Sequence, residues 1–350
     1  MLTRIRYKRM IDQLSGRKLI SVRQDGTSEV YNIHRLLQQK IITDMSPSDF
    51  ADVFQIVLSL VRCKYPHSSV MQIPEPDKWD DCGTYMPHVF SLHHVYKEFK
   101  GVEETEELAE LFYDAGFHVW ERDTTAYDGL AFLNSAKDIL DNLGVDPNAK
   151  LRADIHSIMG EFYSGWGSKY REESLQQHTR ALEIRQRAYE TDPTDKNSDV
   201  LFRNATNDRA TCLLSQNRFE EAGAAFQSCL EQYKFWGGET EMPFEYQKYY
   251  SNFALVLAWR GDYKQAVEFL RRSVDLSCRH SDKTWHYSMN CFWLGCVLMQ
   301  AGDVQGALDA HLETLKLRVE VFGKHEAASI ISTYAVGATY YELGDPDSAL

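Results

Sequence analysis

Gly261-Asp-Tyr-Lys-Gln-Ala266 recurs as Gly302-Asp-Val-Gln-Gly-Ala307 and again as Gly344-Asp-Pro-Asp-Ser-Ala349, at spacings of 41 and 42 residues. A weaker copy, Asn217-Arg-Phe-Glu-Glu-Ala222, stands 44 residues before Gly261. A fixed period of this length marks a chain built from stacked supersecondary units. Seven residues ahead of each turn comes a small residue, Ala210, Ala254, Gly295 or Gly337, where two helices can approach closely. Beyond the turn, Phe226 and Cys229 or Leu270 and Ser273 continue a face of 3.6-residue period. Each unit therefore reads as helix, Gly-Asp turn, helix. Two degenerate copies precede these, one running from Ile158-Met-Gly160 to the helix that starts near Ser174, the other from Leu111-Phe-Tyr-Asp-Ala115 through Gly129 to Ala136. Gly144 with Pro147, and Pro193, close their second helices, because Gly favours the left-handed position past a helix end and Pro rarely continues a helix. About five units are expected over residues 101–350, the last of them cut short one residue after Ala349. An unfinished last unit lacks its packing partner, so a fragment or shortened product with an uncapped, self-associating end is expected.

The turn resembles that of the tetratricopeptide repeat, in which the first helix carries the small residue and the second begins with Ala. A period near 42, with the long stretch from Ala307 to Arg318 followed by Phe322-Gly-Lys-His-Glu326, resembles the kinesin-light-chain variant of that repeat. The resemblance implies a mostly α fold, a right-handed α-solenoid whose first helices line a concave groove.

The first hundred residues differ in kind. Lys18-Leu-Ile-Ser-Val-Arg23 and Glu29-Val-Tyr-Asn-Ile33 flank Asp25-Gly26, a hairpin signal, and a helix follows from His34. A further helix over Ser48–Lys64 is expected to bury Phe50, Val53, Phe54, Val57, Leu58 and Val61 on one face. The hairpin with Ile33-His-Arg-Leu-Leu-Gln38, and the connector Trp79…Cys82…Tyr85-Met-Pro-His-Val89, resemble the winged-helix and connector segments of fungal NB-ARC or NACHT proteins of the STAND type. That resemblance implies a small winged-helix-like α/β segment over 1–45, a helical connector over 46–100, and descent from a receptor whose tetratricopeptide array follows. No Gly-x-x-x-x-Gly-Lys-Ser/Thr occurs, so nucleotide hydrolysis is not carried over.

Composition narrows the class. The net charge of −13 conceals nine Lys/Arg against three acids in residues 1–40, a balance of +6 that leaves −19 on the rest, a surface expected to repel nucleic acid and anionic membrane. No apolar run approaches the roughly 18 to 20 residues of a membrane span and the N-terminus has no apolar signal segment, so a cytoplasmic protein is expected. Seven cysteines without Cys-x-x-Cys read as neutral thiols in a reducing compartment.

Candidate chemistry is sparse. His325-Glu-Ala-Ala-Ser329 lacks the second imidazole of a zinc-protease helix, and the adjacent His93 and His94 diverge on a helix, so no metal ligands are assigned. Asn204-Ala-Thr206 matches a glycosylation sequon but falls on a helix. No catalytic, cofactor or metal residue is expected. The repeat register instead assigns Asn207, Lys248, Ser251, Trp259, Phe292, Gln300, Tyr334 and Tyr341 to a partner-binding groove. Aromatic anchors with polar handles suit peptide capture. The reading is a non-enzymatic scaffold for a protein or peptide partner; the alternative is an accessory protein or enzyme with a small-molecule pocket between the N-terminal unit and the repeats.

Overall fold

The computed structural model describes residues 4–25, 28–71, 73, 75–122, 127–281 and 284–349. Its contacts divide into two compact units, one of residues 1–60 with 94–103, the other of residues 61–93 with 104–350.

The first unit holds α1 (Arg4–Gly16), the strands β1 (Ile20–Asp25) and β2 (Ser28–Ile33), α2 (Arg35–Asp44), most of α3 (Pro47–Arg62) and the end of α4 (Trp79–Glu98). The strands pair antiparallel, Ile20 opposite Ile33 and Asp25 opposite Ser28, as the sequence predicts; Gly26 and Thr27 of the turn lie outside the described residues. On α3 the buried stripe is narrower than its apolar pattern. Phe50, Phe54, Leu58 and Val61 are buried, while Val53 and Val57 on the shoulder are 40% and 38% exposed. The rows at i and i+4 face inward, and the two valines, one position before Phe54 and Leu58, are rotated about 100° away. Within the unit Phe50 packs on Phe99, ring centroids 6.0 Å apart, and Gln55 Nε2 donates to the Glu103 carbonyl at 3.1 Å.

The second unit is a stack of helical hairpins. They are α5 (Glu106–Arg122) with α6 (Tyr127–Asn142), α7 (Lys150–Gly165) with α8 (Arg171–Thr191), and α9 (Lys196–Ser215) with α10 (Phe219–Phe235). After the single turn α11 (Gly238–Glu241) come α12 (Pro243–Trp259) with α13 (Tyr263–Ser281), α14 (Trp285–Gln300) with α15 (Val304–Val321), and α16 (Ala327–Glu342) with the single turn α17 (Pro346–Ala349). Five complete hairpins and a short sixth are thus described, one for each of the six copies in the sequence, against the about five units expected. Among the described residues no helix is long and apolar enough to cross a membrane.

The recurring Gly-Asp pair has a local cause. Gly261, Gly302 and Gly344 take φ of +83°, +82° and +79°, a left-handed conformation that side chains with Cβ resist, and Asn217 holds the equivalent place at +62°. The next residue's N–H then reaches back to close the helix: Asp262 to the Leu257 carbonyl at 3.0 Å, Asp303 to Leu298 at 3.0 Å, Asp345 to Tyr340 at 3.0 Å, Arg218 to Leu213 at 2.9 Å. In three copies the same residue starts the following helix, since Asp262, Asp303 and Asp345 accept from the N–H of Gln265, Gly306 and Ser348 at 3.1, 2.9 and 3.1 Å. Gly ends one helix and Asp begins the other. The Ala that follows, at 222, 266 and 307, is fully buried between the helices, and Phe226, Leu270 and their neighbours extend the core.

Candidate functional site

The first helices of successive hairpins wall a cavity of about 480 Å³, contained wholly in the second unit. Three wall residues, Asp208 on α9, Asn252 on α12 and Trp293 on α14, each stand two residues before the small residue of their helix. Lys248, Ser251, Phe244 and His286 join them, with Glu161 from α7, Arg185 from α8 and Trp120 from α5.

The charges are arranged in pairs with one exception. Lys248 forms an ion pair with Asp208, and Arg185 with the buried Asp154. Glu161 meets the His178 ring at 3.6 Å and lies within 4.8 Å of the Asp208 carboxylate. Burial pushes His178 down to about 4, so it is neutral near pH 7 and offers Glu161 no positive charge. Burial, with the Asp208 charge adding to it and Lys248 opposing, raises Glu161 to about 7. Burial likewise lowers His286 to about 4, and its ring meets Trp120 edge-on with centroids 5.7 Å apart. Trp120 is 4% exposed and its indole N–H has no partner among the described residues.

Glu161, His178 and Asp208 bring donor atoms within 4.8 Å of one another, the ingredients of a cation site that the sequence did not reveal. The Lys248 ammonium already sits on Asp208, so that carboxylate is not free for a metal ion. His178 also has a packing role. Its ring fills the space where Gly160 lacks a Cβ, which would fall 2.6 Å from Nε2.

The structure separates the residues that the repeat register grouped. Lys248 and Ser251 line the cavity. Asn207 does not; it is fully buried and accepts from Asn252 Nδ2 at 2.7 Å. Trp259, half exposed, stacks on the cavity residue Phe219 with centroids 4.5 Å apart and planes 12° apart. Phe292, partly exposed, packs on His311, with centroids 5.4 Å apart, and lies under the Arg318 guanidinium at 4.9 Å, off the cavity wall. Gln300 is exposed at the end of α14, and Tyr334 and Tyr341 stand 79% and 70% exposed on α16. Missed from sequence were Asp208, Asn252 and Trp293; one residue nearer the small position in each helix would have found them. Glu161 and Trp120 carried no such signal.

The other candidates have structural partners. His93 bonds Ser135 Oγ at 2.9 Å. Asn204 of the sequon is buried and accepts from Tyr233 Oη at 2.9 Å. All seven cysteines are free, and burial pushes Cys82 and Cys296 up to about 11 and Cys212, Cys229 and Cys291 to about 12.

The fold and this wall define a stacked array of helical hairpins. Residues 248–282 and 294–326, the cores of two adjacent hairpins, match the family described as tetratricopeptide repeat. No curated protein matches the chain. Among solved structures it is similar to NprR in complex with its cognate peptide NprX, at 14% identity and TM-score 0.59 over 90% of this chain and 78% of that one. The apo form of RapI is similar at 14% identity and TM-score 0.55, covering 85% of this chain and 93% of that one. The apo form of the quorum sensor NprR from B. thuringiensis is similar at 13% identity and TM-score 0.50, covering 98% and 91%. At these identities the likeness is one of fold.

Proposed function

We propose that the chain is a non-enzymatic scaffold that captures a short peptide segment in the groove walled by α7, α9, α12 and α14. The observation that carries this reading is the cavity itself. Its wall alternates apolar anchors (Phe244, Trp293) with amide and charged groups (Asn252, Lys248, Asp208), the mixture that fixes an extended backbone and seats side chains beside it. NprR, whose fold is shared over most of this chain, was crystallised with a peptide, which supports the same use of the array here. The winged-helix and connector resemblance of residues 14–100 extends the reading to a receptor fragment of STAND type, and that extension rests on sequence motifs alone.

The test is selection of randomised heptapeptides on the purified chain, repeated with Leu255→Trp, which adds bulk to the cavity wall. Peptides enriched on the wild type should lose binding to the variant while its unfolding temperature stays within a few degrees. Equal binding to both proteins would place capture elsewhere.

A further inference from the structure

We infer that the groove recognises its ligand through a protonated nitrogen, an ammonium or guanidinium group, seated on Glu161 at the junction of α7 and α9. The inference rests on the peptide-binding reading and specifies what the peptide must carry.

Among the described residues four charged side chains line the cavity: Glu161, Arg185, Asp208 and Lys248. Arg185 is spent on Asp154 and Lys248 on Asp208. The imidazoles of His178 and His286 are neutral. Glu161, its side chain about one-third exposed, is therefore the wall carboxylate left without an ion pair of its own. Burial raises its pKa to about 7, and a bound cation favours the ionised form. A singly charged nitrogen balances it; a divalent ion would leave an excess positive charge beside Lys248.

A peptide supplies such a cation from its N-terminus or from a Lys or Arg side chain.

The experiment uses four pools of synthetic randomised heptapeptides, with free or acetylated N-termini, each with Lys and Arg present or omitted. Each pool is captured on the wild-type chain and on Glu161→Gln, in EDTA, and the bound peptides are sequenced. Glu161→Gln keeps the side-chain shape, and unfolding curves verify that it folds. At least one cationic pool should be enriched by about tenfold or more over the acetylated pool without Lys and Arg, and that advantage should vanish on Glu161→Gln. Dependence on the free terminus assigns the nitrogen to the N-terminal ammonium; dependence on Lys or Arg assigns it to a side chain; either supports the inference. Equal enrichment from the uncharged pool, an advantage that survives Glu161→Gln, or one that appears only when EDTA is replaced by zinc, overturns it while leaving peptide capture standing. Enrichment from no pool overturns peptide capture and the inference together.

Discussion

Two hairpins of the array use the same joint for different ends. In α7–α8 the His178 ring occupies the space beside Gly160; in α14–α15 the His311 ring occupies the space beside Gly295, where a Cβ would fall 2.5 Å from Cε1. Around the first joint stand Glu161 and the cavity with its Asp208–Lys248 pair. Around the second stand Phe292 and Arg318, whose guanidinium is bound by Ser288 Oγ at 3.3 Å, the Ala328 carbonyl at 3.1 Å and Ser332 Oγ at 3.0 Å. Burial lowers Arg318 only to about 10, so it remains a cation near neutral pH. One joint faces a carboxylate without an ion pair of its own, and the other encloses a guanidinium held by hydrogen bonds. The packing device repeats because it solves a steric problem common to both units, whereas the charges beside it differ from one unit to the other.

The comparison breaks most visibly at the second joint. Arg318→Ala removes a buried side chain and strands the polar groups that hold it, so unfolding in urea should show a loss of about 3 kcal/mol or more. The exposed Arg279→Ala, whose partner is Asp275 at 2.6 Å, should cost well under half of that. Comparable losses would mean that Arg318 is not a structural centre.

Gly160→Ala and Gly295→Ala test the joint itself. In each a methyl group meets an imidazole that is packed from behind, and about 1 to 3 kcal/mol should be lost. Adding His178→Ala or His311→Ala to the matching glycine variant should recover part of that loss, and strict additivity of the two changes would refute the contact. Next in size, Gly302→Val forces a β-branched residue to φ +82° and should cost about 1 kcal/mol or more. An unchanged midpoint would argue against the turn geometry.

Glu161 separates the joints by pH. Its pKa in the fold, about 7, lies above the 4.5 of the unfolded chain, so ionisation penalises the folded state increasingly as pH rises through that interval. Glu161→Gln escapes the penalty, and its unfolding temperature relative to wild type should climb from pH 4.5 to above 7. His178, Asp208 and Lys248 face Glu161 in both proteins, and His286, coupled to Lys248 and Asp208, is common to both as well, so the difference reports on this carboxylate. A difference that stays flat with pH would show that the carboxylate is solvated. The smallest effect is expected at Asn217, which holds φ +62° where three other turns have glycine: Asn217→Gly should change stability by only a few tenths of a kcal/mol, relief of backbone strain offset by a more flexible unfolded chain. A loss above about 1 kcal/mol would mean that the Asn side chain has a role of its own.

The sequence alone determined the hairpin unit, because its instructions are local. A left-handed residue and a capping carboxylate act within a few residues, so Gly261-Asp262 and Gly302-Asp303 state the turn wherever they occur. The antiparallel pairing of Ile20–Asp25 with Ser28–Ile33 was legible for the same reason. Only the tertiary structure decided which face of each first helix meets the cavity. A helix turns 100° per residue, so an offset of one position moves a side chain off the cavity wall, as Phe292 and Trp293 show. It alone also brought Glu161, His178 and Asp208 together from three helices, and paired Lys248 with Asp208 rather than with Glu161. Charge compensation depends on distances between residues 47 and 40 positions apart in the chain, and no local pattern encodes those distances.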